Sequence, residues 1–325
     1  MSVQGKVLLT GATGFVGGAV WTALVEAGFE VRGLTRDPQR ALGRWPGREW
    51  APGDVETGSG VREALRGRDF AIYLVHGMGR GGQDYRRRDR EAAGRFAQAA
   101  ADAGLSRIVY LGGVEPQGTP SEHLASRLEV GEELRRGPVR TLELRASMIV
   151  GYGSLSWRIV RDLAARLPFM VLPRWMSHRT EPVATEDVVV ALVRGLSAPL
   201  TASASYDLPG PEALSEKEIV CLSAEALGLR PPVMLEVPVL SPWLSSHWVH
   251  VVTRAEWEVA REIVLGLGHE LLARNSDYWT LIGHEARIPF REAARRAVEA
   301  ERAEGRRIGG IAGAVEAAVR RTRRG

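Results

Sequence analysis

Three glycines, Gly11, Gly14 and Gly17, recur at a spacing of three in KVLLTGATGFVGGAV, residues 6–20. A short apolar run precedes them and a helical pattern follows. Gly11 permits the sharp turn out of a strand. Gly14 permits close approach of a pyrophosphate, and Gly17 permits a helix to pack on the sheet. The helix that opens here offers free N–H groups and the positive end of its dipole to an anion. A glycine triplet alone is weak evidence, but strand, turn and helix in this order are the context that a dinucleotide site requires. Thr13, Phe15 and Val16, within the turn, join the three glycines as cofactor-contact candidates.

The charged residues past the second strand bear on which dinucleotide binds. A carboxylate there holds the ribose 2′-hydroxyl of NAD, whereas an arginine favours the 2′-phosphate of NADP. EVRGL is followed by Thr35, Arg36, Asp37 and Pro38. Arg36 points to NADP, since a guanidinium binds phosphate bidentately and stacks on adenine. Asp37 is the competing reading and favours NAD. Asp54 and Val55, in GDV, are placed to meet the adenine; Asp54 also reads as a turn residue after Gly53.

Apolar strands and amphipathic helices alternate through the first half. Strands are expected over 6–10, 30–34, 70–75, 107–111 and 141–144, with a shorter one near Trp50. Helices are expected over 15–27, 60–65, 85–103 and 122–135. This alternation gives right-handed crossovers and an α/β, doubly wound parallel sheet with helices on both faces. Ligands of such sheets sit at the carboxyl ends of the strands. The loops after Thr10, Leu34, Val75 and Leu111 should therefore ring the cofactor, and Val75, His76 and Gly112 join the cofactor candidates.

At 325 residues, 45% hydrophobic and 25% charged, the chain can bury a sizeable core. No apolar run reaches the ~18 residues of a membrane span. The N-terminus leaves no room for a signal peptide, and the single cysteine, Cys221, excludes an internal disulfide. Cys221 sits among apolar residues and reads as a small buried hydrophobe. These features lead to a cytoplasmic expectation. The net +4 is carried by residues 301–325, with seven arginines against three glutamates, so the body gives no reason to expect nucleic acid.

Three units are expected: a nucleotide domain over 1–150, a smaller, mostly helical α/β substrate lobe over 151–304 interleaved with it, and a basic tail over 305–325. In the lobe, Ser154 or Ser156 would cap one helix and Thr185 another. Ser215 and Glu218 would form a capping box. Six of the nine tryptophans lie there: Trp157, Trp175, Trp243, Trp248, Trp257 and Trp279. They would line an apolar substrate pocket or serve packing. His247 and His250 share a helical face, but two histidines without a third ligand make no metal site. The tail is amphipathic, yet its glycines and small apolar face argue against membrane binding. The oligomeric state is not legible.

VLLTGATGFVG, TRDP, GDV, YLVHGMG, RIVYLGGVEP, SEHLASRLEVGEELR, LRASMIVGYGS and EPVATEDVV together resemble the NmrA-like, atypical branch of the short-chain dehydrogenases/reductases. The resemblance covers residues 7–211. It implies a Rossmann-type NAD(P) domain and, in active members, hydride transfer to a small carbonyl or conjugated substrate. Other members bind the nucleotide without turnover, as redox regulators or accessory subunits. The family's usual site has a Ser or Thr after the fifth strand and Tyr-x-x-x-Lys on the next helix. Here Leu111, Gly112 and Gly113 end that strand, and His123 and Arg127 take the Tyr and Lys spacing. By that correspondence His123 becomes the proton-donor candidate. Arg127 can hold ribose hydroxyls but cannot act as a base.

Overall fold

A computed structural model describes residues 4–76, 84–173, 177–237 and 269–304. The chain begins β1 (Gly5–Leu9), α1 (Phe15–Glu26), β2 (Phe29–Thr35), α2 (Pro38–Arg44), β3 (Glu49–Pro52), α3 (Val61–Leu65), β4 (Phe70–Tyr73) and α4 (Tyr85–Asp102). It continues β5 (Arg107–Gly113), α5 (Glu122–Arg136), β6 (Thr141–Ala146), β7 (Ile149–Val150), α6 (Leu155–Arg166), β8 (Phe169–Pro173), β9 (Arg179–Thr180), β10 (Val183–Ala184) and α7 (Thr185–Gly195). Then follow β11 (Ala204–Asp207), β12 (Leu214–Ser215), α8 (Glu216–Ala226), β13 (Val233–Val237), α9 (Asp277–Leu281) and α10 (Phe290–Ala303).

Seven strands form one parallel sheet in the order β11-β6-β5-β4-β1-β2-β3. Alternate residues of each strand face opposite sides, and the core divides accordingly. Val7, Leu9, Ile72 and Val109 pack with Trp21, Leu24, Leu192 and Trp279 on one face. Leu8, Tyr73, Ile108 and Tyr110 pack with Phe96, Ala100, Val130 and Leu134 on the other. A third cluster, built on Trp157, Ile219, Phe290 and Val298, joins α6, α8 and α10.

The chain beyond residue 150 serves two places. α7 and β11 return to the central sheet, while α6, α8 and α10 form the separate cluster. Neither α2 nor β11 is announced by hydrophobic periodicity: α2 is seven residues long, and β11, ASYD, has little apolar character. The cap assignments hold for Ser154, which accepts from the Trp157 N–H, and for the Ser215–Glu218 capping box. Thr185 is instead the first residue of α7. Its hydroxyl donates to the Val150 carbonyl at 3.0 Å, and Ala184 occupies the cap position. Trp157 and Trp279 are buried packing residues, the latter donating its indole N–H to the Pro209 carbonyl. Cys221 is only half-buried. Trp175, Trp243, Trp248, Trp257, His247, His250 and the basic tail lie outside the described residues. No helix among the described residues is long and apolar enough to cross a membrane.

Two neighbouring glycines of α1 respond oppositely to a methyl group. A Cβ on Gly17 would lie 2.2 Å from the Gly11 carbonyl oxygen, whereas one on Gly18 meets nothing within 4 Å. Gly18→Ala should stabilise the protein by about 0.4–1 kcal/mol through lower chain entropy in the unfolded state. Gly17→Ala should destabilise it by about 1–3 kcal/mol through overpacking. Chemical denaturation of both variants checks the two signs.

Candidate nucleotide-binding site

The turn between β1 and α1 is set by Gly11, whose φ of +64° lies in the left-handed region. Gly14 is the N-cap of α1, with no side-chain capping bond and no acidic residue in the first turn. The first N–H groups of the helix therefore lack the usual side-chain acceptor and suit an anion. A Cβ on Gly14 would meet only the Gly11 carbonyl, at 3.2 Å, so one side of this backbone is open to a ligand. Nearby, the buried Thr10 hydroxyl accepts from the Leu74 N–H at 3.0 Å and ties β1 to the end of β4.

A cavity of about 600 Å³ opens over these strand ends. Gly11, Thr13, Gly14, Arg36, Asp54, Val55, Val75 and His76 all line it. The Asp37 carboxylate accepts from the Arg40 backbone N–H at 3.0 Å and caps α2. The Asp54 carboxylate accepts from the Glu56 N–H at 2.9 Å, realising its turn role at the cavity wall. Gly17 and Phe15 act behind the cavity: Gly17 packs α1 on the turn, and the Phe15 ring lies against Gly151 and Gly153. Val16 packs on the central core cluster. Arg40, Arg44 and Trp45 also line the cavity and were not foreseen. The four-residue spacing of Arg36, Arg40 and Arg44 was the signal available in the sequence.

Gly112 lies at the end of β5, and His123 and Arg127 on α5, next to the His76 side of the cavity. The His123 and His76 rings meet edge to face, with centroids 5.8 Å apart. Arg127 Nη2 donates to the carbonyls of Leu111 and Gly112, both at 2.9 Å. The Tyr110 hydroxyl donates to the Arg127 carbonyl at 3.0 Å. Arg127 is thus fastened to the end of β5.

Burial, then the Arg127 charge and His76, push the His123 imidazole down to about 3. His76 is likewise depressed, first by desolvation and then by the Arg127 charge. His123 is therefore a neutral imidazole at physiological pH, able to offer an N–H but not an imidazolium proton.

The missing hydroxyl at the end of β5 has a packing counterpart. A Cβ on Gly112 would stand 2.9 Å from Glu143 Oε1, and one on Gly113 would stand 2.6 Å from Leu124 Cδ1. Glu143 is fully buried on β6, where Arg135 and Arg145 pair with its carboxylate at 2.8 and 3.1 Å. Within an apolar strand pattern it was not foreseen. Among the described residues no cluster could hold a metal ion.

Comparison with known proteins places this geometry. Residues 11–162 match a family model described as NAD(P)H-binding. The chain is 30% identical over 232 residues to a (4-alkanoyl-5-oxo-2,5-dihydrofuran-3-yl)methyl phosphate reductase of Streptomyces griseus, covering 68% of this chain and 74% of that one. It belongs to the atypical short-chain dehydrogenases/reductases. A ceramide reductase of Caulobacter vibrioides is 26% identical over 231 residues, covering 70% of this chain and 72% of that protein. The Citrobacter sp. triphenylmethane reductase complexed with NADP(H) shares the fold, with a TM-score of 0.70 at 19% identity over 90% of this chain and 99% of that one. The chain is thus an NAD(P)-binding protein of a reductase and dehydrogenase family.

The depressed His123 has a consequence for stability. In the unfolded chain it takes a proton near pH 6.5; in the folded chain it does so only near 3. Between those values the unfolded state binds more protons, so this residue's effect lowers stability as pH falls. His123→Phe should remove that contribution. The melting temperature of wild type minus that of the variant should fall between about pH 7.5 and about pH 5. A difference independent of pH would show that folding leaves the proton affinity of this histidine unchanged.

Proposed function

We propose that the protein is an NADPH-dependent oxidoreductase of the NmrA-like kind, acting in the cytoplasm on a small apolar carbonyl or conjugated substrate. The observation that carries this reading is the cavity itself. An uncapped helix start stands over a glycine turn at its centre, and an arginine without an acidic partner among the described residues stands at one side. Gly11, Thr13 and Gly14 would hold the pyrophosphate. Arg36 would hold the 2′-phosphate, since Asp37 is committed to the α2 cap. Asp54 and Val55 would border the adenine, and Val75, His76 and Gly112 the path toward the nicotinamide. The bound cofactor would supply hydride. His123 would offer a neutral N–H to a substrate oxygen, with the Arg127 charge nearby, and water would be the proton source. The reductases among its relatives support the reaction class.

One observation favours a second reading, a nucleotide-binding regulator or accessory subunit without turnover. Arg127 spends Nη2 on backbone carbonyls, and His123 is held neutral, so neither matches the tyrosine and lysine whose spacing they occupy.

Two substitutions test the cofactor assignment by calorimetry. Gly14→Val puts a side chain where the pyrophosphate must lie and should abolish NADP binding while the fold survives, because almost nothing else occupies that space. Arg36→Ala should weaken NADP by roughly ten- to hundred-fold, the worth of about 1.5–3 kcal/mol for a charged hydrogen bond, with far less effect on NAD. If both nucleotides weaken equally, Arg36 is stacking on adenine instead.

A further inference from the structure

Arg127 is a cation without a counterion. The acceptors it uses are backbone carbonyls, those of Leu111 and Gly112. Its Nε is buried and makes no hydrogen bond, and among the described residues no carboxylate pairs with it. Glu143, which lies under Gly112, is taken by Arg135 and Arg145. A half-buried guanidinium left without an anion is destabilising, so its place at the end of β5 calls for one. The groups around it are not set to give up a proton. The His76 and His123 rings meet edge to face, and both are kept neutral in part by the Arg127 charge. The Tyr110 hydroxyl donates to the Arg127 carbonyl and the Ser126 hydroxyl to Asp89, each at 3.0 Å. This side of the site therefore combines a fixed positive charge with neutral imidazoles and committed hydroxyls.

Such a setting discriminates between two kinds of carbonyl reduction. Hydride added to a saturated ketone leaves an alkoxide, whose charge stays on one oxygen and which an acid must quench as it forms. Hydride added to the β-carbon of an α,β-unsaturated carbonyl breaks the C=C π bond. Those electrons pass through the α-carbon to the carbonyl oxygen and give an enolate. A fixed charge alone stabilises such a delocalised oxyanion. Water then protonates the α-carbon, the C=O bond re-forms, and the product is the saturated carbonyl. We propose that Arg127 holds this oxyanion, and that the substrate is an α,β-unsaturated carbonyl reduced at its C=C bond. The inference rests on the reductase reading above, with a reduced nicotinamide dinucleotide as the hydride source, and it narrows the substrate class.

The compound 4-nitrophenol tests the charge without turnover, because its delocalised oxyanion imitates the enolate and is coloured. It is titrated onto the full chain at saturating NADP, below the pH at which the free phenol ionises. It should bind as the phenolate, preferred about ten- to hundred-fold over the neutral phenol, the worth of one charged hydrogen bond. Arg127→Gln, which keeps a donor for the β5 carbonyls but no charge, should abolish the preference. Arg127→Lys, with charge but no fork, should keep part of it. Neutral phenol bound by wild type, or a preference unchanged in Arg127→Gln, overturns the role of Arg127. Paired enones and saturated ketones with nicotinamide-deuterated NADPH give the second readout. Turnover should be confined to the enones, with deuterium at the β-carbon of a saturated ketone. An allylic alcohol as product, comparable turnover of the saturated ketones, or no turnover of any pair overturns the substrate class. If calorimetry shows no NADP binding to wild type, the reductase reading itself has failed, which keeps the two failures apart.

Discussion

No side chain fits between α1 and the turn that precedes it. The space at Gly17 is closed by the Gly11 carbonyl, and the left-handed Gly11 allows the chain to double back so tightly. This contact fixes the start of α1 against the end of β1. It also aims the uncapped N–H groups at the centre of the cavity rather than at solvent. A helix displaced outward by one methyl group would still be a helix. It would no longer present those groups where the strands end. The sheet order sets what lies to each side: the chain between β2 and β3 carries the arginines of one half, while the chain after β4 and helix α5 carry the histidines of the other.

The far half is held together by charge rather than by a hydroxyl. Arg127 is tied to the end of β5, and Glu143 sits beneath Gly112 between two arginines. Gly131 of α5 belongs to the same arrangement, because a Cβ there would lie 2.1 Å from the Glu143 carboxylate. Such a buried carboxylate is tolerable only when paired. Its cost is met by Arg135 and Arg145, and its presence excludes side chains from the floor of the site. At the end of β5 the Glu143 carboxylate and Leu124 thus occupy the space that a side chain on Gly112 or Gly113 would need.

Much of this was legible in the sequence, and the parts that were not share a cause. Strands β1, β2, β4, β5 and β6 are apolar runs between turn signals, and the long helices carry their own periodicity. The cavity side chains near the glycine turn followed from the topology of parallel sheets. By contrast, β11 is a strand only because β6 offers it an edge, which no local pattern in ASYD announces. Asp37 could be read as a ribose ligand because only the structure shows its carboxylate capping α2. His123 stood at the right spacing, but its neutrality comes from burial and from Arg127, both tertiary effects. Arg40 is the instructive omission: it lines the cavity from α2, and no helix was expected there to carry it.

The placement of β11 bears on how the chain is made. β6 is complete by Ala146, but its outer partner arrives only with Ala204–Asp207, and the helix that covers the same face only with Thr185–Gly195. During synthesis the nascent sheet therefore waits for about sixty further residues with one strand edge unpaired, and for the first part of that interval with Leu142 and Leu144 uncovered. At ribosomal rates of about 5–20 residues per second that interval lasts a few seconds. The nucleotide half of this protein cannot mature on the ribosome ahead of the rest. It ripens together with the later lobe, and a chain released early would offer its open edge to its neighbours.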